Sequence, residues 1–120
     1  MAIAVPLLCV RDTIICVFQS DLTDATAERY QAQLLERIER TGGSNVLLEV
    51  SALDLVDSYV AQMLLDTATM ARLMGARAVL VGVRPEVAAT LVHMGHTLAG
   101  IETALNVDHA FKLLAQRVAA

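Results

Sequence analysis

The chain has 120 residues, 56% of them hydrophobic, with a mean hydropathy of +0.56 and a formal net charge of −4. That length suits one domain around one core, so residues 1–120 are expected to fold as a unit, and so apolar a composition excludes a disordered linker. The acidic balance, with Lys112 the one lysine and no Lys/Arg cluster, argues against nucleic acid and against an anionic membrane as partners.

No apolar run reaches the roughly 18 to 20 residues of a membrane-spanning helix. The apolar start has no basic leader, and Pro6 followed by Arg11-Asp12 suits a strand and turn, so a cytoplasmic location is expected. Aromatic residues are scarce and Trp is absent, which leaves Ala, Val, Leu, Ile and Met to build the core. An apolar excess this large on a small domain implies that another protein chain covers part of the surface.

In chain order, Ile3–Val10 and Thr13–Phe18 are β-rich runs separated by Arg11-Asp12, a hairpin pattern. A turn centred on Asp12-Thr13 would set Cys9 opposite Cys16. The sequence leaves that register open. Two cysteines are too few for a disulfide scaffold, and both are assigned structural roles. Thr23 or Asp24 caps a helix whose apolar face is Ala27, Tyr30, Leu34, Leu35 and Ile38, stopped by Gly42-Gly43. Val46–Val50 has the pattern of an interior strand, and Ser51–Val56 that of a loop.

A long helix follows, marked by Val60, Ala61, Leu64, Leu65, Ala68, Ala71 and Leu73, with Gln62, Asp66, Thr69 and Arg72 on the opposite face and Gly75 at its end. Ala78–Val83 is a second buried strand. Pro85 opens a short helix, Glu86–Met94, closed by Gly95. Ile101–Thr103 suits a short edge strand, and Asn106 or Asp108 caps a last helix running to Val118. The order ββαβαβαβα predicts an α/β fold, a single mixed but parallel-rich sheet of about five strands with about four helices packed on it.

In such sheets partners and ligands meet the carboxyl ends of the strands. Two turns lie there, Leu53–Tyr59 and Gly82–Glu86. Ser58 falls at the start of the long helix, where free N–H groups and the helix dipole favour an anion. Asp57-Ser58 suits an N-cap, and Ser58 also suits a phospho-acceptor whose added charge, roughly −1.5 to −2, the helix end tolerates. A nucleophilic role for Ser58 lacks support, because no glycine elbow surrounds it and no motif ties it to a histidine. His93, His96 and His109 offer no metal-ligand set, and Gly75 and Gly82 lack phosphate-loop spacing, so no metal or cofactor is expected. Asp54, Asp57 and Asp66 show no acid/base pairing.

The segments Val56-Asp57-Ser58-Tyr59-Val60-Ala61, Leu73-Met74-Gly75-Ala76, Val81 to Ala88 and Ile101 to Leu105 together resemble STAS domains, the fold of bacterial anti-sigma-factor antagonists. The resemblance is nearest to the single-domain scaffold branch of the stressosome, the RsbS type. It implies a non-enzymatic, dimeric protein that joins RsbR-type STAS paralogues in a large hetero-oligomer and sequesters an RsbT-type serine kinase. It further implies that the kinase phosphorylates Ser58 to gain its release, and that an RsbX-type phosphatase resets the scaffold. Asp54, Asp57, Tyr59, Arg84 and Glu86, on the two turns, and Gln62, on the outer face of the long helix, are the expected partner contacts. Simple anti-sigma-factor antagonists carry a second serine and a glycine after the acceptor, where this chain has Tyr59-Val60-Ala61; direct antagonism of an anti-sigma kinase stays the alternative. Without the sensory domain of RsbR proteins, the chain is not expected to sense a ligand itself.

Overall fold

A computed structural model describes residues 5–20, 22–94 and 101–116. The predicted order of elements is observed: β1 (Leu7–Val10), β2 (Thr13–Val17), α1 (Asp24–Thr41), β3 (Asn45–Glu49), α2 (Ser58–Leu73), β4 (Arg77–Val81), α3 (Pro85–His93), β5 (Glu102–Ala104) and α4 (Val107–Ala115). The five strands form one sheet in the order β1-β2-β3-β4-β5. β1 pairs antiparallel with β2, and every other pair is parallel.

Because β2 to β5 step across the sheet in one direction, crossovers of a single hand deliver α1, α2 and α3 to the same face. Ile14, Cys16, Val46, Leu48, Ala78 and Leu80 point to that face and pack with Tyr30, Leu34, Leu64, Ala68 and Leu91 from the three helices. The alternate residues Ile15, Leu47, Val79 and Val81 point the other way, beneath α4, where Ala110 is buried and Phe111 and Leu114 pack. β3 and β4 are therefore covered on both faces, as their unbroken apolar runs require. The largest side chains of the main core, Phe18 and Tyr30, stack with ring centroids 4.8 Å apart.

Local signals account for the helix boundaries. The Thr23 hydroxyl caps α1 by accepting from the Thr26 N–H, and Gly42 ends the helix in the left-handed region at φ 66°. Asn106, rather than Asp108, caps α4 through the His109 N–H. The predicted extension of α4 to Val118, the closure of α3 at Gly95 and the strand residues Ile3 and Ala4 lie outside the described residues.

The hairpin turns at Arg11-Asp12, so Cys9 sits opposite Ile14 and Cys16 opposite Leu7. The two cysteines therefore do not face each other. They lie on the same face in adjacent strands but two residues out of step, because the turn is centred one residue earlier than Asp12-Thr13. Cys16 is fully buried, and burial pushes its thiol up to about 12. Cys9 is exposed and accepts a hydrogen bond from Arg37 Nη1 at 3.2 Å.

The last two strands are clamped by a two-pronged ion pair, Arg77 Nε and Nη2 each 2.6 Å from a Glu102 carboxylate oxygen. Those bonds hold Glu102 below the usual carboxylate range. Its folded-state pKa is depressed, so its contribution is present above the ordinary Glu value and fades as acid protonates the folded carboxylate. Among the described residues, no helix is long and apolar enough to cross a membrane.

Gly82 has φ 76°, and a Cβ added there would meet Ser51 Cβ at 2.9 Å. Gly82→Ala is expected to cost about 2 kcal/mol, from the left-handed backbone and the overlap together, measured by urea unfolding. Glu102→Gln is expected to lower stability by under about 1 kcal/mol at neutral pH, since the pair is partly solvated, with the difference vanishing in acid.

Candidate functional site

The carboxyl ends of β2, β3 and β4 feed directly into α1, α2 and α3, so the amino ends of these helices gather along one edge of the sheet. The loop from β3 to α2 is held at both ends. The Val50 N–H reaches the Val81 carbonyl at 2.9 Å, the Leu53 side chain is buried, and the Ser51 N–H and hydroxyl both donate to Glu49 Oε1 at 2.7 Å. Asp54 and Leu55 then run out to solvent, Leu55 with 83% of its surface exposed, before Val56 turns back toward the core.

Asp57, not Ser58, is the N-cap of α2. Its carboxylate accepts from the Val60 N–H at 2.8 Å, and its backbone carbonyl accepts from Ala61. Ser58 is the first helical residue, exposed, and no hydrogen bond engages its hydroxyl among the described residues. The combined Asp57-Ser58 cap expected from sequence is thus divided: the longer side chain reaches back to the free N–H, and the hydroxyl one residue on is released to solvent. No histidine or other base contacts Ser58 among the described residues.

Across the junction, Tyr59 donates its phenol to Glu28 of α1, and this bond, with the charges of Glu28 and Asp24, raises the Tyr59 pKa. Asp24 is raised as well, first by partial desolvation and then by the neighbouring Asp57 and Glu28 carboxylates. In sequence Asp24 stood out only as a possible cap of α1 and Glu28 not at all, because both lie on the preceding helix and only packing brings them to the residues flanking Ser58. Their one sequence signal is acid in the first turns of a helix. Leu55 was likewise missed; an exposed Leu in a loop carries no pattern of its own.

The six expected contact residues fall into two neighbourhoods. Asp54, Asp57, Tyr59 and Gln62 are exposed around the start of α2, with Gln62 donating to Asp66 at 2.8 Å one turn further on. Arg84 and Glu86 are exposed at the start of α3, where Arg84 is an N-cap without a side-chain hydrogen bond. Among the described residues no hydrogen bond or ion pair links the two sets, although their loops touch where Ser51 meets Gly82. Arg84 instead borders an apolar cleft of about 550 Å³ with Pro85, Leu91, Leu105 and His109. His109 Nδ1 accepts from the Leu105 N–H at 3.0 Å, so this ring braces the β5–α4 turn. His93 ends α3 in solvent, and His96 lies outside the described residues.

A profile of the STAS domain family matches residues 5–110. A Ser-to-Glu variant of RsbS from Moorella thermoacetica superposes with a TM-score of 0.83 at 34% identity, covering 92% of this chain and 93% of that one. A chain from a structure of the molecular architecture of the stressosome, described as a signal integration and transduction hub, gives a TM-score of 0.81 at 35% identity, covering 93% of this chain and 100% of that one. The RsbT co-antagonist protein RsbRA of Bacillus subtilis is 32% identical over 91 residues, 68% of this chain; the match spans 33% of that relative's length.

The division between cap and hydroxyl has a direct expectation. Asp57→Ala should lower stability by about 1 kcal/mol, whereas Ser58→Ala should leave it within about 0.5 kcal/mol, both read from denaturant midpoints.

Proposed function

The chain belongs to the STAS domain family, and from that premise we propose that it is a stressosome scaffold whose Ser58 is phosphorylated by the serine kinase it captures. The observation that carries this reading is Ser58 itself, an exposed hydroxyl in the first turn of α2 that the fold does not use, because Asp57 does the capping. The chain matches RsbS and stressosome structures at 34% and 35% identity over most of its length. The first of these relatives carries a Ser-to-Glu exchange, which puts negative charge where a serine stood.

The transfer balances simply. Ser58 Oγ attacks the γ-phosphorus of ATP held by the kinase, the O–P bond forms as the bond to the β,γ-bridging oxygen breaks, ADP leaves, and the hydroxyl proton passes to a base of the kinase. The product adds roughly −1.5 to −2 charge at a helix amino terminus, where N–H groups and the dipole offset it locally, so the fold persists. The surface, already acidic, becomes more negative. A kinase that presents anionic nucleotide phosphates to Ser58 meets a phosphoserine flanked by Asp57, and capture weakens. In this reading RsbR-type STAS paralogues share the assembly, an RsbX-type phosphatase restores the hydroxyl, and the chain performs no catalysis. Exposed apolar side chains such as Leu8, Val10 and Leu105 leave surface for such assembly.

Incubation with an RsbT-type kinase of the same organism and ATP, followed by peptide mass spectrometry, is expected to place the phosphate on Ser58. Phosphate on another residue with Ser58 bare would overturn the proposal. Ser58→Asp is expected to weaken kinase capture by about ten-fold or more while changing stability by under about 1 kcal/mol; equal capture would remove the electrostatic mechanism. Mixed with an RsbR-type paralogue, the protein should elute from size-exclusion chromatography as very large particles. Small complexes alone would favour direct antagonism of an anti-sigma kinase.

A further inference from the structure

A groove of about 350 Å³ runs between α1 and α2, starting at Tyr59, the residue after Ser58. Its floor is apolar: Met63 is buried in the main core, and Met70 and Tyr59 lie 39% and 42% exposed. Its rim is acidic, lined by Glu28 of α1 and Asp66 of α2. No Lys, Arg or His lines it, and the ion pair found among the described residues, Arg77 with Glu102, is elsewhere.

The neutral donors along the groove are already engaged. Tyr59 gives its phenol to Glu28, Gln62 Nε2 donates to Asp66 Oδ1 at 2.8 Å, and Gln31 Nε2 donates to Thr67 Oγ1 at 2.9 Å. The two rim carboxylates therefore keep acceptor sites free and carry no compensating cation. Glu28 is felt by its neighbours: its hydrogen bond and charge make Tyr59 harder to ionise, and its charge adds to the desolvation and the Asp57 carboxylate that do the same to Asp24.

We propose that this groove docks a basic segment of the kinase that acts on Ser58, an Arg or Lys lying between Glu28 and Asp66 and an apolar neighbour resting on Met70 and Tyr59. The inference rests on the reading of Ser58 as the acceptor. Charge complementarity selects the occupant: a thioether and phenol floor welcomes the alkyl stem of Arg or Lys, while paired carboxylates receive its head. Register ties the groove to the acceptor. Ser58, Gln62 and Asp66 recur every fourth residue on one side of α2, so Asp66 lies about 12 Å along the axis from Ser58. At that distance the docking cation is separated from the nucleotide phosphates that approach Ser58, so attraction in the groove and repulsion at a phosphorylated Ser58 act on different parts of the kinase. The groove accordingly orients the kinase, and the hydroxyl decides whether it stays.

The test measures both KM and kcat for phosphorylation of Ser58, and kinase affinity by calorimetry, at salt from about 50 to 300 mM. The variants are Glu28→Gln with Asp66→Asn, Asp66→Lys, and Glu39→Gln on exposed α1 surface as the control. With melting points unchanged, the neutral pair is expected to raise KM about five-fold or more with kcat unaltered and to flatten the salt dependence. Asp66→Lys should weaken binding further, and Glu39→Gln should do neither. Unchanged KM, affinity and salt dependence alongside normal Ser58 labelling would overturn the groove and leave the acceptor role standing. A shift in self-association by sedimentation, without change in kinase affinity, would overturn it in favour of a second copy of the chain. If the wild type binds the kinase but Ser58 is not labelled, the acceptor reading fails, and the affinities of the same variants still decide the groove. No binding at all would remove both.

Discussion

A crossover between adjacent parallel strands returns the chain on one side of the sheet, and three in succession leave little freedom about where α1, α2 and α3 begin. Their amino termini must gather at the carboxyl edge of β2, β3 and β4, and their apolar stripes must share one face. This constraint explains the asymmetry of the molecule. One face carries three helices over a large aliphatic core, and the other, among the described residues, carries α4. At the far edge β1 has no helix over its α4-side residues, and Leu8 and Val10 stay 56% and 44% exposed.

The same constraint concentrates negative charge. Helix starts recruit acid because carboxylates cap free N–H groups and suit the dipole, so Asp24 and Asp57 are each locally favoured. Setting two such starts side by side makes the carboxylates neighbours, and the Asp57 charge adds to partial desolvation in making Asp24 harder to ionise. Local stability and regional repulsion thus come from the same residues. Ser58 stands beside these carboxylates without serving the cap, so the α2 cap does not depend on its hydroxyl.

Close packing of the two loops above the strands needs a residue without a side chain. Gly82 supplies it, at φ 76° and against Ser51. The contact keeps the β3–α2 and β4–α3 loops at a constant spacing and separates two surfaces of different character, the acid-rimmed groove between α1 and α2 and the apolar cleft bordered by Arg84. A partner reaching Ser58 meets the first of these surfaces within one residue.

Much of this was legible in the residue order. Unbroken apolar runs at Val46–Leu48 and Ala78–Val81 required strands covered on both faces, Thr23 or Asp24 and Asn106 or Asp108 marked helix starts, and the segment around Ser58 carried the family likeness. These are local properties: periodicity, capping chemistry and turn residues act within a few positions, so sequence displays them directly. The register of the β1–β2 hairpin, the choice of Asp57 over Ser58 as the cap, and the approach of Asp24 and Glu28 to Tyr59 were decided by tertiary structure. Each turns on the position of an atom relative to a group that is distant in sequence or only a half-turn out of phase. Such positions are set by how strands pair and helices pack.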